Sequence, residues 1–413
     1  MHRIAMISVH TCPMAALGGK ETGGMNVYVR ELSRELAAQD LVVDIYTRSQ
    51  DPSRDRIRQL WPRVRVIHLP AGPEEPYDKN LVYQHLPQFV AGFREFCATE
   101  NISYDLLHSH YWLSGWVARE LKRSSLVPTV HMFHTLARMK NIATRDNAEK
   151  EPETRIQIEG ELVQDVDRLI AATPLDKSQM VELYGADPDR IVIIPLGVDP
   201  NMFRPIPRAE ALAAMGIDLP QPNRLVLFVG RLDPVKGLDT LLRAMCDLTE
   251  MEPELAKTLS LVVIGGDADE TDSDLSEELE CLDKLKDEVG ISDLVAFVGS
   301  RAQDTLAYYY SAAEVCVVPS YYESFGLVAL EAMACGTPVI ASRVGGLLHT
   351  VEDGVNGFLV PSGDAQALAE KLRMVLCDAE LRQRLATNAR LSTQSYTWKI
   401  VAERMLRVYQ QLW

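Results

Sequence analysis

Leu225-Val226-Leu227-Phe228-Val229-Gly230-Arg231-Leu232-Asp233-Pro234-Val235-Lys236-Gly237 decides the fold class of this chain. A short apolar run stops at a glycine. A loop carrying an arginine and a lysine follows, and then a helical pattern begins. Side chains buried on both faces of a strand read as one continuous apolar run, which is the habit of parallel sheets. The same unit recurs downstream at Leu261–Ile264, Val295–Val298, Val315–Pro319 and Pro338–Ala341, with a short strand at Phe358–Val360. Upstream it recurs at Ile4–Val9, Leu41–Tyr46, Val64–His68, Leu106–His108, Pro128–Phe133, Leu169–Ala172 and Ile191–Ile194. Amphipathic stretches such as Met25–Gln39 and Pro87–Thr99 lie between. This alternation predicts an α/β protein built from two doubly wound, Rossmann-like domains, each a parallel sheet with helices on both faces.

The boundary follows from the prolines. Pro200, Pro205, Pro207, Pro220 and Pro222 fall in Val198–Asn223, which has no sustained periodicity. That places an N-terminal domain over 1–200 and a C-terminal domain over 201–395. A helix over 396–413 is expected to pack back on the first domain. A length of 413 residues suits two domains, and 47% apolar residues give each a core.

The net charge of -16 argues against nucleic acid and against an anionic lipid surface. No apolar run is long enough to span a membrane, and the first residues lack the pattern of a signal peptide. Seven dispersed cysteines without a CxxC pair read as reduced thiols, hence a cytoplasmic location.

In open α/β sheets, ligands bind beyond the carboxyl ends of the strands. Arg231 and Lys236 occupy such a loop, and a guanidinium fork with an ammonium suits a diphosphate. Alone, the pattern reads equally as a solvated turn. Glu323-Ser324-Phe325-Gly326-Leu327-Val328-Ala329-Leu330-Glu331 follows the strand ending at Pro319. There a helix start offers backbone amides to phosphate or sugar oxygens. Glu331 opens the small, apolar EAMACGTPVIAS and is expected to be buried, where a carboxylate needs a partner. Gly18-Gly19-Lys20-Glu21-Thr22-Gly23-Gly24-Met25-Asn26 is a glycine-rich strand-to-helix loop, but not the dinucleotide GxGxxG. His108-Ser109-His110-Tyr111 and His131-Met132-Phe133-His134-Thr135 end two strands. They lack the spacing of a metal site and suit hydrogen bonds to sugars or phosphates. Asp267-Ala268-Asp269 has the form of a divalent-ion pair, yet its acidic surroundings read as a solvated loop.

GRLDPVKG, ESFGLVALE and EAMACGTPVIAS with the following VGG resemble the donor half of family 4 retaining glycosyltransferases, which have the GT-B fold. GGMNVYVREL, HSHYWLSGW and HTLARMKN resemble the acceptor half of two branches of that family. One joins N-acetylglucosamine to inositol phosphate. The other, the sucrose-phosphate synthase type, joins glucose to fructose 6-phosphate. The resemblance implies that the domains face each other across a cleft. It implies that Arg231 and Lys236 hold the donor diphosphate and stabilise it as it leaves. Glu331 then binds the ribose, and Glu323 binds the transferred sugar with the amides of Ser324, Phe325, Gly326 and Leu327. Backbone at Gly299–Arg301 reads uracil. His134 meets the donor sugar near the reacting carbon, and Gly23 and Gly24 contact diphosphate and acceptor. His10 and Asn26 line the acceptor site, while Lys79, Tyr111, Thr135 and Arg155 surround an acceptor phosphate. The bulky Met132-Phe133 beside His134 favours fructose 6-phosphate over inositol phosphate. A UDP-sugar is the expected co-substrate, with no further cofactor and no metal, and a homo-oligomer is compatible with all of this.

Other classes are weaker. A double-displacement hydrolase needs a carboxylate pair that is missing from the motifs. An epimerase has no use for an acceptor phosphate pocket. A silent nucleotide-sugar binder has no use for Glu323, His134 and Lys236 together.

Overall fold

The computed structural model describes residues 2–15, 22–143, 150–217, 223–266 and 273–413. The chain divides into two compact units. Unit 1 holds residues 2–15, Gly24–Leu196 and Trp398–Trp413, and unit 2 holds Gly197–Thr397 with Thr22 and Gly23.

The strands of unit 1 are β1 (Arg3–Ile7), β2 (Val42–Arg48), β3 (Ile57–Trp61), β4 (Val64–Leu69), β5 (Leu106–His110), β6 (Thr129–Met132), β7 (Arg168–Ala171) and β8 (Ile191–Ile193). They form one sheet in the order β3-β4-β2-β1-β5-β6-β7-β8. Every pairing is parallel except β3 with β4. The antiparallel edge corrects the all-parallel expectation. Ile57-Arg58-Gln59 is exposed, so β3 offers no buried apolar run to read. A tight reversal at Pro62-Arg63, with φ 67° at Arg63, turns it back onto β4.

Unit 2 carries β9 (Arg224–Val229), β10 (Leu259–Ile264), β11 (Val295–Phe297), β12 (Val315–Val318), β13 (Val339–Ser342) and β14 (Gly357–Val360). Its order is β11-β10-β9-β12-β13-β14, and every pairing is parallel. The central strands are buried along their length, as the apolar runs require. One core gathers Ile7, Phe89, Trp112 and Leu162, and the other gathers Val226, Leu241, Val263 and Leu372.

The helix Trp398–Gln410 belongs to unit 1. Trp398 meets Tyr28 of the helix Gly24–Ala38 edge-on at 5.6 Å, and Tyr409 Oη lies 2.7 Å from His108 Nδ1. Strand order reverses beside β1 and β5 in unit 1 and beside β9 and β12 in unit 2. Such switch points open a crevice because the flanking loops diverge to opposite faces.

Candidate active site

In unit 2 the loops after β9 and β12 are tied together, with Tyr321 N donating to Val235 O at 2.8 Å. Pro234–Lys236 is a single 3-10 turn, capped by Asp233, whose carboxylate accepts from Val235 N at 3.0 Å. Lys236 thereby reaches Glu323, Nζ to Oε2, at 2.7 Å. Arg231 Nη2 stands 3.3 Å from Asp233 Oδ2. Each cation of the candidate clamp therefore has an acidic neighbour in the substrate-free chain. Gly326, at φ 92°, starts the helix Leu327–Ala334 and no side chain caps it, so the first amides face outward for a ligand. Ser324 and Phe325 form the turn before it.

Glu331 is buried, and the protein supplies its partners. Tyr310 Oη donates to Oε2 at 2.9 Å and Gln303 Nε2 donates to Oε1 at 3.0 Å. Tyr310 and Gln303 lie outside the quoted motifs, and only their place on the neighbouring helix Gln303–Ala312 gives them this role. Gly299, at φ 69°, has open space beside it, and its carbonyl accepts from Gly265 N at 3.2 Å. Arg301 Nε donates to Tyr309 Oη at 3.0 Å.

The VGG turn has a mechanical task that the sequence concealed. Gly346 N donates to Glu323 O at 2.9 Å. A Cβ built on Gly345, where φ is 50°, would stand 1.7 Å from that same carbonyl oxygen. The turn therefore lies flat on the backbone that carries Glu323. Gly345→Ala is expected to lose about 2–4 kcal/mol of stability, through left-handed strain and overpacking together. It should also raise the donor KM by displacing Glu323. Thermal melting and donor kinetics check this, and a wild-type melting temperature would contradict it.

In unit 1 the loops after β1, β5 and β6 bring together the acceptor-side residues. Tyr111 and His134 have φ of 72° and 62°, a backbone strain that bulky side chains rarely carry and that clusters at functional sites. His110 Nδ1 lies 3.0 Å from His134 Nε2. His10 packs against Tyr111 with ring centroids 4.5 Å apart. Burial first, then the charges of Lys79 and Arg155, lower the His10 pKa to about 3. Burial alone lowers His134 to about 3. Both imidazoles are thus neutral at pH 7, fit to share hydrogen bonds but not to supply charge. Lys79 opens the turn Lys79–Val82, capped by Asp78. Asn26 Nδ2 donates to Thr11 Oγ1 at 2.8 Å and to Cys12 O at 2.7 Å, fixing the loop after β1. Gly24 begins the following helix, and Gly23 has open space beside it.

Arg155 is fully buried. Its Nη1 donates to Tyr111 Oη at 2.9 Å, and its Nη2 donates to Thr135 O at 2.8 Å and Thr135 Oγ1 at 3.1 Å. Three of the four residues expected around a phosphate are thus in direct contact. Their two hydroxyls accept from the guanidinium and keep their own protons to donate. Met132 and Phe133 are buried as well, Phe133 in the core against His131.

Gly18, Gly19, Lys20, Glu21, Asp267 and Asp269 lie outside the described residues. Among the described residues no group of three His, Cys, Asp or Glu is placed to hold a metal ion, and no helix is long and apolar enough to cross a membrane.

Comparison with known proteins extends over both units. Residues 216–392 match the model of the glycosyl transferases group 1, and residues 23–197 match a glycosyl transferase 4-like domain. The chain is 41% identical to the D-inositol 3-phosphate glycosyltransferase of Saccharomonospora viridis, over 99% of this chain and 94% of that one. It is 42% identical to the Thermomonospora curvata protein of the same name, over 98% and 95%. Among solved structures, the sucrose-phosphate synthase of Thermosynechococcus elongatus superposes with a TM-score of 0.91 at 38% identity, covering 100% of this chain and 99% of that one.

Proposed function

Because the chain belongs to the group 1 glycosyl transferases and has their GT-B fold, we propose that it moves a sugar from a UDP-sugar to a phosphorylated acceptor, with retention at the anomeric carbon. One observation carries the acceptor half of this reading. Arg155, Tyr111 and Thr135 are bound to one another, and Lys79 stands near enough to act on the same imidazole as Arg155. Two cations and two hydroxyl donors make a suitable cage for a phosphomonoester.

In the donor half the diphosphate departs with its new charge on Arg231 and Lys236. One of its oxygens takes the acceptor hydroxyl's proton. The acceptor oxygen then bonds the anomeric carbon on the face that the diphosphate left. The protein contributes position and electrostatic stabilisation. Glu323 holds both Lys236 and, by this reading, the sugar hydroxyls. The carboxylate thus sets the distance between the sugar and the cation that receives the leaving group.

Inositol phosphate is the first acceptor to consider, because relatives 41–42% identical over nearly the whole chain carry that name. Fructose 6-phosphate is the second reading, favoured by the full-length likeness to a sucrose-phosphate synthase. The test measures UDP release with UDP-glucose and with UDP-N-acetylglucosamine. Each donor is paired with inositol phosphate, fructose 6-phosphate and the two unphosphorylated acceptors. A phosphate held by charge-assisted bonds, each worth roughly 1.5–3 kcal/mol, predicts a preference of at least about tenfold for the phosphorylated form. Equal use of free and phosphorylated acceptor would remove the pocket from the argument.

A further inference from the structure

Every nitrogen of the Arg155 guanidinium already has a protein partner. Its Nε donates to Glu159 Oε1 at 2.7 Å. Its Nη1 faces Tyr111 Oη and, at 2.8 Å, Glu151 Oε2, while both Nη2 contacts go to Thr135. That makes four hydrogen bonds and one ion pair around the guanidinium. The side chain is also sealed from solvent. An acceptor phosphate reaches it only if a present partner gives way.

The partners differ in how firmly they are held. Glu159 is fully buried, and its second oxygen accepts from Ala137 N at 2.9 Å and from Tyr184 Oη. Thr135 contributes its own backbone carbonyl. Tyr111 is packed beneath the guanidinium, 4.6 Å from ring centroid to Cζ. Glu151 touches Arg155 through one oxygen only. Its other oxygen pairs with Lys140, a half-buried ammonium that can follow the carboxylate outward. Glu151 is also an anion, so a phosphate oxygen replaces it on Nη1 without leaving a buried charge uncompensated. Burial pushes its pKa up, but Arg155 and Lys140 outweigh this and hold it at about 2, so the carboxylate is charged at neutral pH.

We propose that Glu151 occupies the place of the acceptor phosphate on Arg155, and that a phosphorylated acceptor binds by displacing it. This rests on the reading of the pocket as a phosphomonoester site. The exchange is one of charge partners alone. Glu151 keeps Lys140, Glu159 keeps Nε of Arg155, and the phosphate takes Nη1 with the Tyr111 and Thr135 hydroxyl protons and Lys79. Glu151 offsets part of the charge of Arg155 and Lys140, and an anion must compete with it to enter. Glu151 therefore sets the affinity for phosphate, which makes it a specificity-determining residue for the transfer.

Glu151→Gln tests this in the full-length protein, because the amide keeps the shape and loses the charge. KM for the phosphorylated acceptor is expected to fall by about five- to tenfold, as one charge-assisted competitor disappears. Inorganic phosphate, titrated by thermal shift, should show a dissociation constant lowered by a similar factor. A simple brace for Arg155 behaves oppositely. If Glu151→Gln raised both the KM and the phosphate dissociation constant, or left them unmoved, the displacement would be overturned. Should Glu151→Gln not fold, Glu151→Asp keeps the charge and shortens its reach. A smaller fall in both quantities is expected there, and a rise or no change overturns the proposal. A wild type indifferent to the acceptor's phosphate would sink the pocket reading and this inference with it. A wild type that requires the phosphate, with neither variant binding it better, sinks the inference alone.

Discussion

Lys236→Ala lowers kcat by about 10²–10³-fold while raising the donor KM by much less, the scale of removing one preorganised donor of about 2.7–4 kcal/mol from a developing charge. The reason lies in what Lys236 does before and during the reaction. In the free chain its ammonium is paired with Glu323 at 2.7 Å, so it needs no new partner to remain in place. By the proposed function, the diphosphate already carries its charge in the ground state, shared with Arg231. As the sugar bond breaks, a further negative charge appears on the leaving oxygen, and only interactions that strengthen at that moment raise kcat. Loss of Lys236 also leaves Glu323 without its cation, beside a departing anion, which adds to the penalty. Steady-state kinetics with a saturating acceptor separate the terms. Near-native turnover, or a loss confined to KM, would show that the clamp binds the donor without stabilising its departure.

Unit 1 is expected to lose at least about 1 kcal/mol of stability between pH 7.5 and pH 5.5, through its buried histidines. His10, His108, His110 and His131 are buried. Burial is the largest cause in each case, and neighbouring imidazoles or cations add to it. His10 and His131 fall to about 3, and His108 and His110 fall well below their ordinary value. The sign follows from proton counts. Below the unfolded value of roughly 6.5 the unfolded chain binds protons that the folded chain refuses, so stability is intact above that pH and drains away towards pH 3. His10 and His131 each contribute a loss of about 1.4 kcal/mol over this interval, and His108 and His110 add to it in the same direction. Asp176 opposes them. Its burial raises its pKa to about 7, so the fold gains from its protonation, by about 2 kcal/mol over the same interval. Four histidines outweigh one carboxyl. All five tryptophans, Trp61, Trp112, Trp116, Trp398 and Trp413, lie in unit 1, so intrinsic fluorescence during urea unfolding follows that unit alone. Equal or greater stability at pH 5.5 would mean that the imidazoles reach water more easily than their packing indicates.

Much of the donor half was legible because its parts are close in the chain. Asp233 caps the turn that presents Lys236, and Gly326 starts the helix that carries Glu331 little more than a turn later. Contacts within a few residues are set by local backbone rules, which the residue types announce. The edge strand β3 was not legible, because an exposed strand has no apolar run and is held by its neighbour's ladder. Gly345 was visible as part of VGG, but its contact with the backbone of Glu323 was not.

The acceptor half divides differently. Residue types and a family resemblance named Tyr111, Thr135 and Arg155, and these three are found bound together. The surroundings of Arg155 were invisible from the chain alone. Glu151 and Glu159 each stand four residues from it, a spacing that on any exposed helix would be an unremarkable ion pair. The amino-acid sequence by itself determined the α/β class, the doubly wound units and the glycosyltransferase family, because alternating apolar runs and strand-end motifs are local signals. Only the tertiary structure decided that Arg155 is sealed from solvent among protein partners, that Glu331 leans on Tyr310 and Gln303, and that four histidines are buried. Burial and charge pairing are properties of what the rest of the chain places around a residue, and they come into being only when distant segments meet.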